Sequence, residues 1–250
     1  MYSDAHCHLN GFSPQELQGA LSRAKAASVS FILTTGTSLE SSQQAAYLAE
    51  TCEGVYAGVG IHPHQVQSID KPLYQALRAL AAKPKVVAIS EIGLDYLRQP
   101  ETAALQRSAF QIQLQLAKEM GLPVMIHSEG AGPDTFRIIQ EEHIRGIING
   151  AIHDFHGDAQ AARNWLDMGF YVCVGRPLLD ANAQALEEAV KVVPLDRLLT
   201  ETDATPNARW PNGEGVEPAD VVRVVERIAR LKGLSTEEVG EATTANLKHY

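Results

Sequence analysis

The chain is short of cysteine, of positive charge and of long apolar runs, and each shortage removes a class of protein. Its three cysteines, Cys7, Cys52 and Cys173, are too few and too odd in number for a disulfide framework, and they lack the paired spacing of a metal finger. A reducing, cytoplasmic setting is expected. Lys and Arg number 21 against 30 Asp and Glu, a formal net charge of -9. No overall positive field then draws in phosphate polymers, and any nucleic-acid contact has to be local. No apolar stretch is long enough to span a bilayer, and the N-terminus carries Asp4 and His6 where a secretory signal needs a basic region and an apolar run. The expectation is a soluble intracellular protein that needs neither a membrane nor a protein partner.

What is present is apolar residues in regular alternation. With 250 residues and 45% hydrophobic content, residues 1–250 are long enough to form one domain around a large core. Short apolar runs predict strands at 2–6, 29–35, 55–61, 85–91, 123–128, 146–152, 170–175 and 197–202. Amphipathic stretches fill the gaps. "SPQELQGALSRAKAA" opens with Ser13 as N-cap, Pro14 at the first helical position and Glu16 three residues after the cap. "ETAALQRSAFQIQLQLAKEMG" predicts a long helix stopping at Gly121, and "EPADVVRVVERIARLKG" and "STEEVGEATTANLKHY" predict two helices that close the chain. The longest irregular stretch, 204–218, follows the eighth strand directly. Eight such βα units imply a (β/α)8 TIM barrel. The alternative is an open doubly wound sheet, although no glycine fingerprint follows the first strand as a dinucleotide-binding version would require.

A barrel of this kind places chemistry where strands run out into the following loops. At those positions stand His6 and His8, His62 and His64, Glu91 and Asp95, His127, His153 and His156, and Glu201 and Asp203. Seven of the nine histidines are there, and only His143 and His249 fall elsewhere, as ordinary surface residues. In a strand, alternate side chains share a face, so His6 and His8 form a two-pronged ligand while Cys7 points the other way into apolar packing. Imidazoles with carboxylates around a cavity suit divalent metals. So many such groups exceed the needs of one catalytic ion with an open position, but they suit a pair about 3.5 to 4 Å apart sharing a carboxylate. The reaction class is metal-assisted hydrolysis. Zinc, manganese, iron and nickel fit such a donor set, zinc or manganese first, and magnesium fits it least.

Six motifs, "SDAHCHL", "AGVGIHPH", "SEIGLDY", "PVMIHS", "GAIHDFHG" and "TETDATP", stand in order over essentially the whole chain. In that order and spacing the sequence resembles the TatD-type metal-dependent deoxyribonucleases, within the wider amidohydrolase-like barrels. The resemblance implies that His6, His8 and Asp203 hold one metal, that His127 and His153 hold another, and that Glu91 bridges them. It places Asp203 where the proton of the attacking water is handled, and makes Glu91 and Asp203 the catalytic carboxylates. It also makes His62 and His64 supporting or phosphate-contacting groups. The implied substrate is DNA or a related phosphodiester.

Several residues differ from that family's usual pattern: Glu129 after "IHS", Asp154-Phe155-His156 after "GAIH", Ser90 before Glu91 and Thr205 before Pro206. With the acidic total charge, they turn the expectation from long duplexes toward single strands and ends, with Arg98, Arg176 and Arg209 as local anchors. Asp95 reads as support for a neighbouring ligand. Asp154 and His156 stand open between added ligand, substrate contact and solvent-facing residue. His156 is counted with His62, His64 and Arg209 as a candidate substrate contact. Trp210 either stacks on a base or covers the site, with covering preferred. Two other functions stay open: the same metals acting on an ester or amide, including that of a charged tRNA, or a metal-holding protein without catalysis.

Overall fold

The computed structural model describes residues 1–66 and 68–250. Among them, strands and helices alternate as β1 Tyr2–Cys7, α1 Pro14–Ala26, β2 Val29–Thr35, α2 Leu39–Thr51, β3 Val55–Val59, α3 Lys71–Ala81, β4 Val86–Asp95, α4 Ala103–Met120 and β5 Val124–Glu129. The chain continues through α5 Gly132–Ile144, β6 Gly150–Ile152, α6 Ala159–Asp167, β7 Tyr171–Val174, α7 Gln184–Val192, β8 Leu198–Thr200, α8 Val221–Lys232 and α9 Thr236–His249. Sheet order follows chain order from β1 to β8, and the pairings are parallel. Parallel neighbours need a long crossover, which the intervening helix supplies. The order never reverses, so the doubly wound alternative is set aside and the fold is a (β/α)8 TIM barrel. Among the described residues, no helix is long and apolar enough to cross a membrane.

Two compact units make up the chain: Met1–Thr34 with Asp154–Tyr250, and Thr35–His153. In the first, α9 lies on β1, and Gly240 has no room for a side chain because a Cβ there would stand 2.6 Å from the Tyr2 ring. Cys7, Leu33, Val172, Leu198, Val225 and Ile228 are buried in this unit. In the second, Ala88, Ile89, Phe110, Leu114, Met125 and Ile126 are fully buried. Strands buried on both faces read as continuous apolar runs, which is why their positions were visible in the sequence.

The local signals also appear as built structure. Ser13 Oγ accepts the Glu16 N–H while the Glu16 carboxylate accepts the Ser13 N–H, closing the first turn of α1. Gly121 ends α4 with φ 65°, the left-handed conformation that glycine adopts without cost. Two strand bounds differ from expectation by four residues, and the other bounds by at most two. β6 begins at Gly150 rather than residue 146, and Ile147, which suggested an earlier start, is 76% exposed. β4 does not stop at Glu91 but continues to Asp95, and that extension shapes the site.

Candidate metal centre

In the first unit, the ends of β1 and β8 bring His6, His8 and Asp203 together. His8 Nε2 lies 3.3 Å from Asp203 Oδ1 and His6 Nε2 lies 4.0 Å from it. One nitrogen or oxygen from each residue falls within 4.8 Å of the others. The two imidazoles meet edge to face, 5.2 Å apart. Backbone bonds fix this approach: Asp203 N–H donates to the His6 carbonyl at 2.9 Å, and His8 N–H donates to the Ala204 carbonyl at 2.8 Å. Asp203 adopts φ 51°, left-handed backbone that aspartate tolerates better than most residues. Cys7 is fully buried with its thiol 3.6 Å from the Leu33 carbonyl.

Close to these three side chains lies a residue that the motif reading passed over. Asp4 is fully buried and ties the two strands together. Its Oδ2 accepts the Thr202 hydroxyl at 2.6 Å, and its Oδ1 accepts the Thr202 N–H at 3.0 Å and the His6 N–H at 3.3 Å. Burial pushes the Asp4 carboxyl well above its usual pKa, against the opposing pull of the Thr202 bonds. The signal in the sequence was an acid inside a strand, two residues before His6. Glu201 is buried as well, accepting the Asp154 N–H at 2.6 Å and the Cys173 thiol at 2.8 Å.

In the second unit, a bulge in β4 delivers Glu91. Ser90 pairs with Met125 and Ile92 with Ile126, so Glu91 is the extra residue, and it takes φ 55°. A bulge re-aims a side chain in this way. Gly93 beyond it has φ 146° and passes so close to the His127 carbonyl that no Cβ fits. Glu91 Oε1 lies 3.8 Å from His62 Nε2, and Glu91, His62 and His127 each place a donor atom within 4.8 Å of the others. His153 follows β6, its N–H bonded to the Ile126 carbonyl at 3.0 Å, with its ring centroid 5.7 Å from that of His127.

Hydrogen bonds sort these imidazoles into roles. His62 Nδ1 accepts the His64 N–H at 3.0 Å, so in the neutral ring the proton sits on Nε2, toward Glu91. In that tautomer His62 is a donor toward Glu91. His127 Nε2 lies 3.3 Å from Asp95 Oδ2, so Nδ1 is the ring atom that could hold a cation. His64 Nε2 approaches the same oxygen to 2.6 Å. Burial acts to raise the Asp95 pKa, but hydrogen bonds from His127 and the Arg98 N–H, with the histidine charges, hold it well below the usual carboxylate range. Asp95 is therefore the charged support of two imidazoles. The donor sets, nitrogen with carboxylate oxygen and no thiolate, fit a divalent cation such as zinc or manganese.

The remaining candidates are arranged as follows. His156 is exposed, with Nδ1 2.8 Å from the Asp154 carbonyl. Arg98 is exposed on the turn that Asp95 anchors, whereas Arg176 spends its Nε–H on the Thr202 carbonyl at 2.9 Å and serves the end of β8. Arg209 is exposed and caps the Pro206 and Ala208 carbonyls. Trp210 is only 8% exposed, held by Asp220 at its Nε1 and by Arg223 over its ring at 3.8 Å. With Arg223 over its ring, Trp210 is not a free stacking surface. His143 is half-buried and accepts the Ile148 N–H, while His249 is exposed.

Comparison with known proteins adds an independent line. A family profile described as TatD related DNase matches residues 3–250. The metal-dependent hydrolase YabD of Bacillus subtilis is 36% identical over 250 residues, covering 99% of this chain and 98% of its own. A protein of Cronobacter sakazakii named 3'-5' ssDNA/RNA exonuclease TatD is 35% identical over 232 residues, covering 90% of this chain and 88% of its own. Among solved structures, the TatD homolog YJJV of Escherichia coli K12 superposes with a TM-score of 0.89 at 27% identity, over 98% of this chain and 95% of the other. An organophosphorus hydrolase variant, at 14% identity and a TM-score of 0.68, shares the fold alone.

Proposed function

Because this chain belongs to the TatD-related DNase family of metal-dependent hydrolases, we propose that it hydrolyses phosphodiester bonds at the ends of single-stranded nucleic acid. In this reading His6, His8 and Asp203 hold one divalent cation, and Glu91, His127 and His153 hold a second. The observation that carries it is the approach of His6 and His8 to one carboxylate oxygen of Asp203. The exonuclease name of the Cronobacter relative supports the choice of substrate. When bound, such cations polarise a substrate oxygen and lower the pKa of an attacking water.

The chain's own residues do the rest. The Asp203 carboxylate takes a proton from the water as the water oxygen bonds to phosphorus, and the bond to the leaving oxygen breaks, that oxygen taking up a proton from solvent water. His62, with its proton on Nε2, donates to a phosphoryl oxygen, and electrostatic stabilisation of this kind strengthens as charge develops. Asp95 fixes the His127 ring so that Nδ1 faces the ligand position. The net charge of -9 disfavours long polyanions and favours a substrate gripped at its end.

The test is turnover of a labelled single-stranded oligonucleotide, its duplex and a panel of esters, before and after chelation. Chelation is expected to lower oligonucleotide cleavage by at least about 100-fold, and zinc or manganese to restore it. Ester turnover without oligonucleotide cleavage would assign the site to ester chemistry, and metal binding with neither would make it a holding site.

The strand alternation gives a second check. Cys7→Ala should keep the metal content of the wild type and lose roughly 1 to 2 kcal/mol of stability, because it removes one buried atom. His8→Ala should lose one metal equivalent. Elemental analysis with urea unfolding reads both, and metal loss in Cys7→Ala equal to that in His8→Ala would sink the assignment of opposite faces.

A further inference from the structure

A groove of about 430 Å³ lies between the start of α1 and the loop after β8. We propose that it is a nucleobase subsite, which takes the base next to the scissile phosphodiester and prefers bases bearing an exocyclic amino group. This rests on the phosphodiesterase reading above and names the part of the substrate held beyond the metal ligands.

Position comes first. Thr205 and Pro206 line the groove two and three residues after Asp203, and Phe12 lines it four residues after His8. The two segments touch: a Cβ at Gly11 would stand 3.0 Å from Pro206 Cδ. The wall is continuous with the backbone that carries two metal ligands. It is also built rather than loose. Thr205 Oγ1 accepts the Ala208 N–H, the Val216 N–H donates to the Ala208 carbonyl, and Trp210 and Glu214 bond through their backbones at 2.8 Å. Trp210 forms one wall, fixed by Arg223 and Asp220.

Charge then selects the occupant. Four acids line the groove, Glu16, Glu214, Glu217 and Asp220, against Arg23 and Arg209. Arg23 is committed to Glu217 through bonds of 2.7 and 2.8 Å, and Asp220 accepts the Trp210 indole and the Glu217 N–H. Glu214 and Glu16 accept from neutral partners, Asn212 and Ser13. A phosphate entering this lining meets net negative charge. A neutral, flat group rich in N–H donors meets acceptors instead, with the apolar faces of Phe12 and Pro206 to stack on. The volume is in the range that holds a small molecule. Adenine, cytosine and guanine carry the required amino group and thymine does not.

The experiment has two arms on the metal-loaded full chain. One arm measures kcat/KM for the dinucleotides of deoxycytidine and of thymidine against bis(p-nitrophenyl) phosphate, which has no base. The expected preference for deoxycytidine over thymidine is about five- to tenfold. Phe12→Ala and Glu214→Gln should each lower the ratio of dinucleotide to p-nitrophenyl turnover. The other arm titrates free deoxycytidine, deoxyadenosine and thymidine while following tryptophan fluorescence, and needs no turnover. Saturable quenching by the first two, several-fold weaker with thymidine and weaker in both variants, supports the subsite. Equal response to all three nucleosides, or none, overturns it. Absence of any phosphodiester hydrolysis would overturn the phosphodiesterase reading, and the nucleoside titration would still decide the subsite.

Discussion

Asp203→Asn should lower phosphodiester turnover by about 100- to 10,000-fold while the protein stays folded. The residue stands 3.3 Å from His8 Nε2, so its carboxylate is placed to share a cation with the histidines and to receive a proton. An amide has one oxygen, no charge, and an NH2 group that cannot accept a proton. The backbone, by contrast, has no reason to change. Asparagine takes the left-handed φ of 51° as readily as aspartate, and the Asp203 side chain is 32% exposed, so no buried charge is removed. Circular dichroism and melting temperature separate lost chemistry from lost fold, and elemental analysis separates lost proton transfer from lost metal. Turnover like the wild type would remove Asp203 from the chemistry.

Asp4→Ala should have the largest effect on stability, a loss of roughly 3 to 5 kcal/mol, with release of the cation from His6, His8 and Asp203. The Asp4 carboxyl group accepts three donors in a place with no access to water: the Thr202 hydroxyl, the Thr202 N–H and the His6 N–H. Truncation strands all three. The same bonds set the register of β1 against the end of β8, since Thr202 precedes Asp203 and Asp4 precedes His6 by two residues. Asp4→Asn keeps one acceptor and most of the volume, so it should fall between wild type and Asp4→Ala in both stability and metal content. Urea unfolding with metal analysis tests the series. An Asp4→Ala protein within about 1 kcal/mol of wild type would show that the tie contributes little.

Much of this architecture was legible because its causes are local. Apolar runs placed the eight strands, since a parallel strand covered on both faces cannot hide its composition. Ser13 with Glu16, and Gly121, marked helix ends because caps are made by residues within one turn. The candidate site residues showed themselves through repeated placement at strand ends. His6 and His8 flank a buried Cys7 and bring their rings to 5.2 Å of each other, as alternation leads one to expect. Strand β6 was harder, because Ile147 is apolar yet lies in solvent, and composition does not distinguish such a residue from a strand residue.

The sequence by itself determined the barrel's alternating elements, the face on which His6 and His8 stand, and the set of imidazoles and carboxylates from which a metal site is drawn. Only the tertiary structure decided where each of them lies and what it touches. Glu91 is aimed by a bulge that exists because β5 pairs on both sides of it, and no residue near Glu91 announces that. His62 became a donor when its Nδ1 accepted the His64 N–H, and His127 gained an orientation when Asp95 from another strand met its Nε2. Asp4 looked like one polar residue in a strand until Thr202, 198 positions away, supplied its partners. The difference is physical: propensity and periodicity act over a few neighbouring residues, while the protonated nitrogen of an imidazole and the state of a buried carboxylate depend on atoms brought from elsewhere in the chain.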